Sequence, residues 1–350
     1  VSMRLLLQKP GNYPAGDTVW MVGIESRIQV EERGGRVLLA SPANPSHVRV
    51  YGQYLFHPGM RQQRTKKERR SRDLGLVTTR AGDLVLTARF DLHLTRTPRP
   101  GFKIQQPADT TMAPWLASGP GIPIDSGSVT AVVDSVALDR PEPKQLVERL
   151  FAHVSQQVRI TPGGSSVGDL SLGQGRGSVL GANRALVALL RAARIPARLV
   201  VGLDLSAVGR EQPRYWAEAY YQGLWQTLDL ITGELGELAP NLVPMRKGSD
   251  VVVEVEKAKL HEVVWSIEQA APPRGLFTSD KPGILDTLDL TRLSPATRGV
   301  LGLLLLLPLG ALSTEFLRHV VGIRTYGTFT PTLLALAVVY VARVTATLLF

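Results

Sequence analysis

The sequence predicts an α+β protein: a β-sandwich-like N-terminal domain, a mixed α+β domain, and then the start of an α-helical transmembrane bundle. Three observations predict it. Residues 1–135 hold short runs rich in Val, Leu, Thr and aromatic residues, cut by Gly, Pro, Asn and Asp, with no long helical period. Residues 136–268 place one strongly apolar helix ahead of a run of strands, the order of an α+β domain. Residues 298–350 are mostly apolar, after a Pro- and Gly-bearing linker at 269–297.

The N-terminal strands are read in "TVWMVGIESRIQV", "RVLLA", "HVRVYGQYLF", "LGLVTT" and "DLVLTARFDLHL". Between them lies "RQQRTKKERRSR", residues 61–72, with seven basic residues and Glu68. No aromatic residue interleaves this run. The run reads as a solvated loop or, in the alternative, as a patch for phosphates or anionic lipid; single-strand nucleic-acid binders usually need stacking platforms, so no nucleic-acid partner is expected. Residues 97–127, rich in Pro, Gly and Ser, read as a connector. In "EPKQLVERLFAHVSQQV" the apolar Leu146, Leu150, Phe151 and Val154 recur at helical spacing, with Pro143 near the start. "GGSSVGDLSLGQGRG" is a glycine-rich loop that fits neither a phosphate loop nor a dinucleotide fingerprint. "SVLGANRALVALLRAARIPAR" then predicts a compact buried helix ended by Pro196, and "RLVVGLDL" a buried strand. "RYWAEAYYQGLWQTLD" reads as a hairpin bent at Gly223, and "DVVVEVEKAKLHEVVWSIE" as two more strands of the same domain.

The chain has 350 residues, a formal net charge of +10 and no cysteine. Disulfides, thiolate metal sites and thiol nucleophiles are thereby excluded, and no metal or cofactor is expected. The length suggests two or more domains. A first residue other than Met and an end inside an apolar run read as a segment of a longer protein.

"GSVLGANRALVALLRAARIPARLVVG" is similar to the nucleophile helix of transglutaminase-like cysteine enzymes, and "YWAEAYYQGLWQTLD" resembles their histidine and aspartate hairpin. The resemblance implies a papain-like α+β fold. It also implies a thiol at a helix N-terminus, a histidine base and an aspartate that orients the histidine. With "IPAR" as anchor, the nucleophile position falls on Val179, the histidine on Tyr215 and the aspartate on Asp229. Val179 has no nucleophilic atom. Tyr215, with an unperturbed pKa near 10, is a poor base at neutral pH. Ser178 could replace the thiol only with a base beside it, and the histidines of this region, His153 and His261, stand in no motif. The domain therefore reads as a pseudoenzyme with a degenerate triad. Ser178, Tyr215, Trp216, Trp225 and Asp229 are the candidate ligand-binding residues, with Trp216 the first candidate for a purely core role.

"PLGALSTEFLRHVVGIRTYGTFTPTLLALAV" resembles the membrane part of a bacterial family in which an inactive transglutaminase-like domain is fused to seven transmembrane helices. "GVLGLLLLLPLGALSTEF", from Gly299, is nearly long enough to cross a bilayer, which takes about 20 apolar residues. Arg318, His319 and Arg324 follow it and favour the cytoplasmic side. Residues 1–297 would then lie in the periplasm, anchored to a bacterial inner membrane. Arg324 and Arg343 are the candidate membrane-functional charges. The stretch from Thr325 to Ala342 is uncharged, so Arg343 marks either the far end of a full span or the turn after a half-helix broken at Gly327 and Pro331; the half-helix is the preferred layout. The resemblance implies a non-catalytic membrane protein whose extracytoplasmic domain binds a peptide or protein and couples it to the bundle. An ATP-grasp ligase and an aspartyl-type protease are implied as pathway partners. The alternatives are a peptide transporter or channel component, a structural anchor, or a residual hydrolase or acyltransferase.

Overall fold

A computed structural model describes residues 17–43, 45, 47–63, 73–95, 112–206 and 213–270. The chain divides into two units, residues 1–277 and 278–350, and all described residues lie in the first. Most of the basic run 61–72, residues 97–111 of the connector, the linker beyond residue 270 and the apolar segments with Arg318, Arg324 and Arg343 lie outside the described residues. Among those described, no helix is long and apolar enough to cross a membrane.

Six strands open the fold: β1 (Thr18–Val30), β2 (Arg36–Leu39), β3 (Val48–Phe56), β4 (Met60–Gln62), β5 (Leu74–Thr78) and β6 (Gly82–Leu94). Alternation decides what they bury. Trp20, Val22, Ile24, Ile28 and Val30 of β1 point inward with Leu84, Leu86, Ala88, Phe90 and Leu92 of β6. They meet Val37, Leu39, Met60 and Leu76 from a second sheet.

The α+β region follows. A short 3-10 turn (Ala113–Trp115) leads to α1 (Gly127–Val136) and α2 (Pro143–Gln157). Then come β7 (Arg159–Ile160), α3 (Gly168–Gln174), β8 (Arg176–Gly177) and α4 (Val179–Ala192). The remaining strands are β9 (Ala197–Asp204), β10 (Arg214–Tyr221), β11 (Leu224–Asp229), β12 (Glu234–Gly236), β13 (Leu242–Lys247), β14 (Val253–Glu256) and β15 (Ala258–Ala270). Helix α2 begins with Pro143 in its first turn and buries Val147, Leu150, Phe151 and Val154, one stripe at 3.6 spacing. Helix α4 is buried on nearly every side from Gly181 to Arg191. It lies against a five-stranded antiparallel sheet of order β12-β11-β10-β9-β13. The β10–β11 hairpin turns on Gln222 and Gly223, both at positive φ, as a two-residue primed turn requires.

Two parts of the sequence reading change. Residues 253–270, read as strands of the α+β domain, belong to the N-terminal sandwich. β15 pairs with β1 from Ala258 to Ala270, giving a sheet of order β15-β1-β6-β3. β14 pairs with β2, giving the facing sheet β14-β2-β5-β4. The reason is apolar: Trp265 and Val253 fill the sandwich core. The helix α1, inside a stretch read as strand-rich or connector, packs its Val129 with α2 and α4. The two regions also share a core, since Val201, Leu203 and Leu205 of the β9 end and Val243 and Met245 of β13 join the sandwich cluster.

Candidate functional site

The five-stranded sheet has two faces, and the residues expected to form one site divide between them. Ala217, Ala219 and Tyr221 of β10 and Leu228 of β11 face the helices. Arg198, Glu218 and Trp225 carry the opposite parity and meet on the outer face.

On the helix face, α4 starts where the resemblance places a nucleophile. Ser178 is its N-cap: the Oγ accepts from the Gly181 N–H at 3.1 Å and donates to the Ser165 carbonyl at 3.1 Å. That hydroxyl is committed to structure. Val179 is the first helical residue. Asn183, one turn on, donates from Nδ2 to the Val179 carbonyl at 2.9 Å and to the Tyr215 carbonyl at 3.3 Å. It thereby ties the main chain at Val179 to that at Tyr215. The Tyr215 ring is half-buried against the sandwich core. Burial pushes its hydroxyl pKa up, the Asp250 charge adds to the rise, and Arg184 opposes it. Arg184 holds Asp250 at 3.0 Å and the Ser166 carbonyl at 2.7 Å. Asn183 and Arg184 were missed in the sequence; the signal was a polar pair inside an otherwise apolar helix.

On the outer face, Asp229 is 2% exposed. Arg214 Nη2 donates to both of its carboxylate oxygens, at 2.8 and 2.7 Å, and the Ile231 N–H adds a third bond at 2.9 Å. Arg214, and not Tyr215, is therefore the side chain bonded to this aspartate. The pair lines a cavity of about 530 Å³ with His47, Asp204, Glu234 and Glu237. Its lining includes none of Ser178, Val179, Tyr215, Trp216 or Trp225. Trp216 is 0% exposed and packs with Val200 and Leu242, so it is core. His261 pairs with Gln29 on the sandwich, and His153 lies on α2.

Further along the same face, Glu218 is 4% exposed and ion-paired to Arg198 at 2.6 Å and Lys247 at 2.9 Å. Burial opposes its ionisation, but the charges and hydrogen bonds of Lys247 and Arg198 together prevail and hold its pKa down to about 2. Trp225 lies under the Arg198 guanidinium, 3.8 Å from ring to cation, with Tyr220 and Trp115 beside it. Among the described residues, no group of His, Asp and Glu could hold a metal ion.

Residues 130–230 match the transglutaminase-like superfamily, and residues 250–350 match a family of seven transmembrane helices usually fused to an inactive transglutaminase. Among solved structures, a candidate cysteine protease from Cytophaga hutchinsonii aligns over 77% of this chain and 94% of its own, at 13% identity and a TM-score of 0.53, a likeness of fold. The periplasmic domain of TgpA from Pseudomonas aeruginosa aligns over 61% of this chain and 88% of its own, at 15% identity and a TM-score of 0.31. No curated protein is significantly similar to the chain.

Proposed function

We propose that this chain, which carries a transglutaminase-like domain ahead of a segment from a membrane-helix family, is a non-catalytic membrane protein whose domain binds a peptide or protein. The domain lies outside the cytoplasm, in the periplasm, and the bound state is passed to the membrane segment. The observation that carries this reading is the fate of the three triad positions. Val179 offers no nucleophile, Tyr215 offers only a phenol with a raised pKa, and Asp229 is neutralised by Arg214. The absence of any cysteine agrees with it. A fold outlives the chemistry it once housed, and the cavity beside Asp229 is what remains available for binding.

Two measurements test the proposal on the whole chain in detergent. Incubated with glutamine-containing peptides and a primary amine, the protein yields no hydrolysis or transfer product; product formation abolished by Ser178→Ala would overturn the non-catalytic part. Leu238 lines the cavity. Leu238→Trp should fill it and abolish calorimetrically measured binding of a basic heptapeptide, chosen for the acidic lining. Equal binding by the native and Leu238→Trp chains would move the ligand elsewhere.

A further inference from the structure

On the outer face of the central sheet, Trp115 stands beside Trp225 and Arg198. The Ala113–Trp115 turn lies inside the segment read as a connector, yet its tryptophan is seated on the α+β domain. Its ring meets the Trp225 ring edge-on at 6.0 Å between centroids and lies 5.6 Å from the Arg198 guanidinium. Gly248, at φ +86°, leaves the space for it: a Cβ there would come within 2.5 Å of the Trp115 ring. The seat itself is rigid. Arg198 is fixed from below by the buried Glu218 carboxylate, which also fixes Lys247, and its cation is stacked on Trp225.

The occupant is held differently from the seat. No residue of the Ala113–Trp115 turn is buried. Its backbone bonds are local, from the Trp115 N–H to the Met112 carbonyl at 2.9 Å and from the Leu116 N–H to the Ala113 carbonyl at 3.2 Å. Firm anchoring begins further on, where Arg191 donates to the Ala117 carbonyl at 2.6 Å and Gly168 donates to the Gly121 carbonyl at 3.0 Å. The ring can therefore leave its seat by opening only this one short turn. An electron-rich face with a fixed cation recognises indole and phenol rings in general.

We infer that Arg198, Trp225 and Gly248 form a binding site for an aromatic side chain of a peptide, that Trp115 occupies it in cis, and that such a peptide binds by displacing Trp115. Naming a peptide as the occupant rests on the binding reading above, but the site is separate from the Asp229 cavity and the two fail independently. The probe is N-acetyl-tryptophanamide, added to the whole chain in detergent micelles. Trp115→Ala should bind it about tenfold more tightly than the native chain does, the scale of one lost aromatic competitor. Adding Trp225→Ala to that variant should remove the binding, whereas Leu238→Trp, which fills the Asp229 cavity, should leave it unchanged. In the native chain, excess probe should speed amide hydrogen exchange at Trp115 and Leu116. No gain in affinity from Trp115→Ala in a folded protein overturns the proposal. If that variant does not fold, unchanged exchange in the native chain overturns it equally. Probe binding that persists while Leu238→Trp has no effect on peptide binding refutes only the Asp229 cavity as the peptide site.

Discussion

The two faces of the central sheet have kept different things. On the helix face, the Asn183 amide joins the main chain of Val179 to that of Tyr215. On the outer face, charge is retained but every buried charge is paired: Asp229 with Arg214, and Glu218 with Arg198 and Lys247. Breaking one of these pairs leaves an uncompensated buried charge, so the outer face is where substitution should cost most.

The largest expected effect is at Glu218. Glu218→Ala leaves Arg198 and Lys247 facing each other over a buried site, and should destabilise by about 3 kcal/mol, the low end for breaking a buried pair because Lys247 is partly solvated. Chemical denaturation of the variant and native chain checks this, and a loss near zero would break the contrast between the faces. The same carboxylate gives a pH signature. Its folded pKa is depressed to about 2 from 4.5, so its contribution is complete above pH 4.5 and fades as the pH falls toward 2. Native stability should decline through that window, and a Glu218→Gln chain should decline less.

Next in size is Arg214→Met, which strands the Asp229 carboxylate with one remaining N–H bond. A loss of about 2–3 kcal/mol is expected, and Arg214→Met/Asp229→Leu should recover most of it. Failure of the double variant to recover would mean that the pair does more than neutralise itself. Gly248→Ala forces a side chain into the Trp115 ring and into positive φ; about 1–2 kcal/mol should be lost, with a shift in tryptophan emission as Trp115 moves.

The helix face should respond least. Val179→Cys introduces a thiol at a helix N-terminus without a base, so its alkylation by iodoacetamide should titrate only modestly below the free-thiol pKa of about 8.5. A thiolate already formed at pH 5 would show that the site keeps hidden activating power. Tyr215→Phe removes a hydroxyl that makes no hydrogen bond among the described residues and should change stability by less than about 0.5 kcal/mol.

The sequence by itself determined one exclusion: a chain without cysteine has no thiol nucleophile however it folds. It also determined the elements with strong local signals: α2 through its 3.6 spacing, the sandwich strands through alternation, the hairpin through Gly223. Tertiary structure alone decided how these pieces combine. Strand β15 looks from its sequence like a continuation of its neighbours, and only pairing with β1, a partner more than 200 residues away, moves it into the sandwich. Trp216, Trp225 and Asp229 look like one cluster in the sequence, yet Trp216 is core, Trp225 lies under Arg198 and Asp229 lines a cavity. Trp115 lies in no motif, and Arg198 and Arg214, though they stand inside "IPAR" and "RYWAEAYYQGLWQTLD", show there nothing of the carboxylates they pair with. Pairing of charges and seating of rings depend on which side chains converge in space, and a local pattern of residues records only which side each one faces.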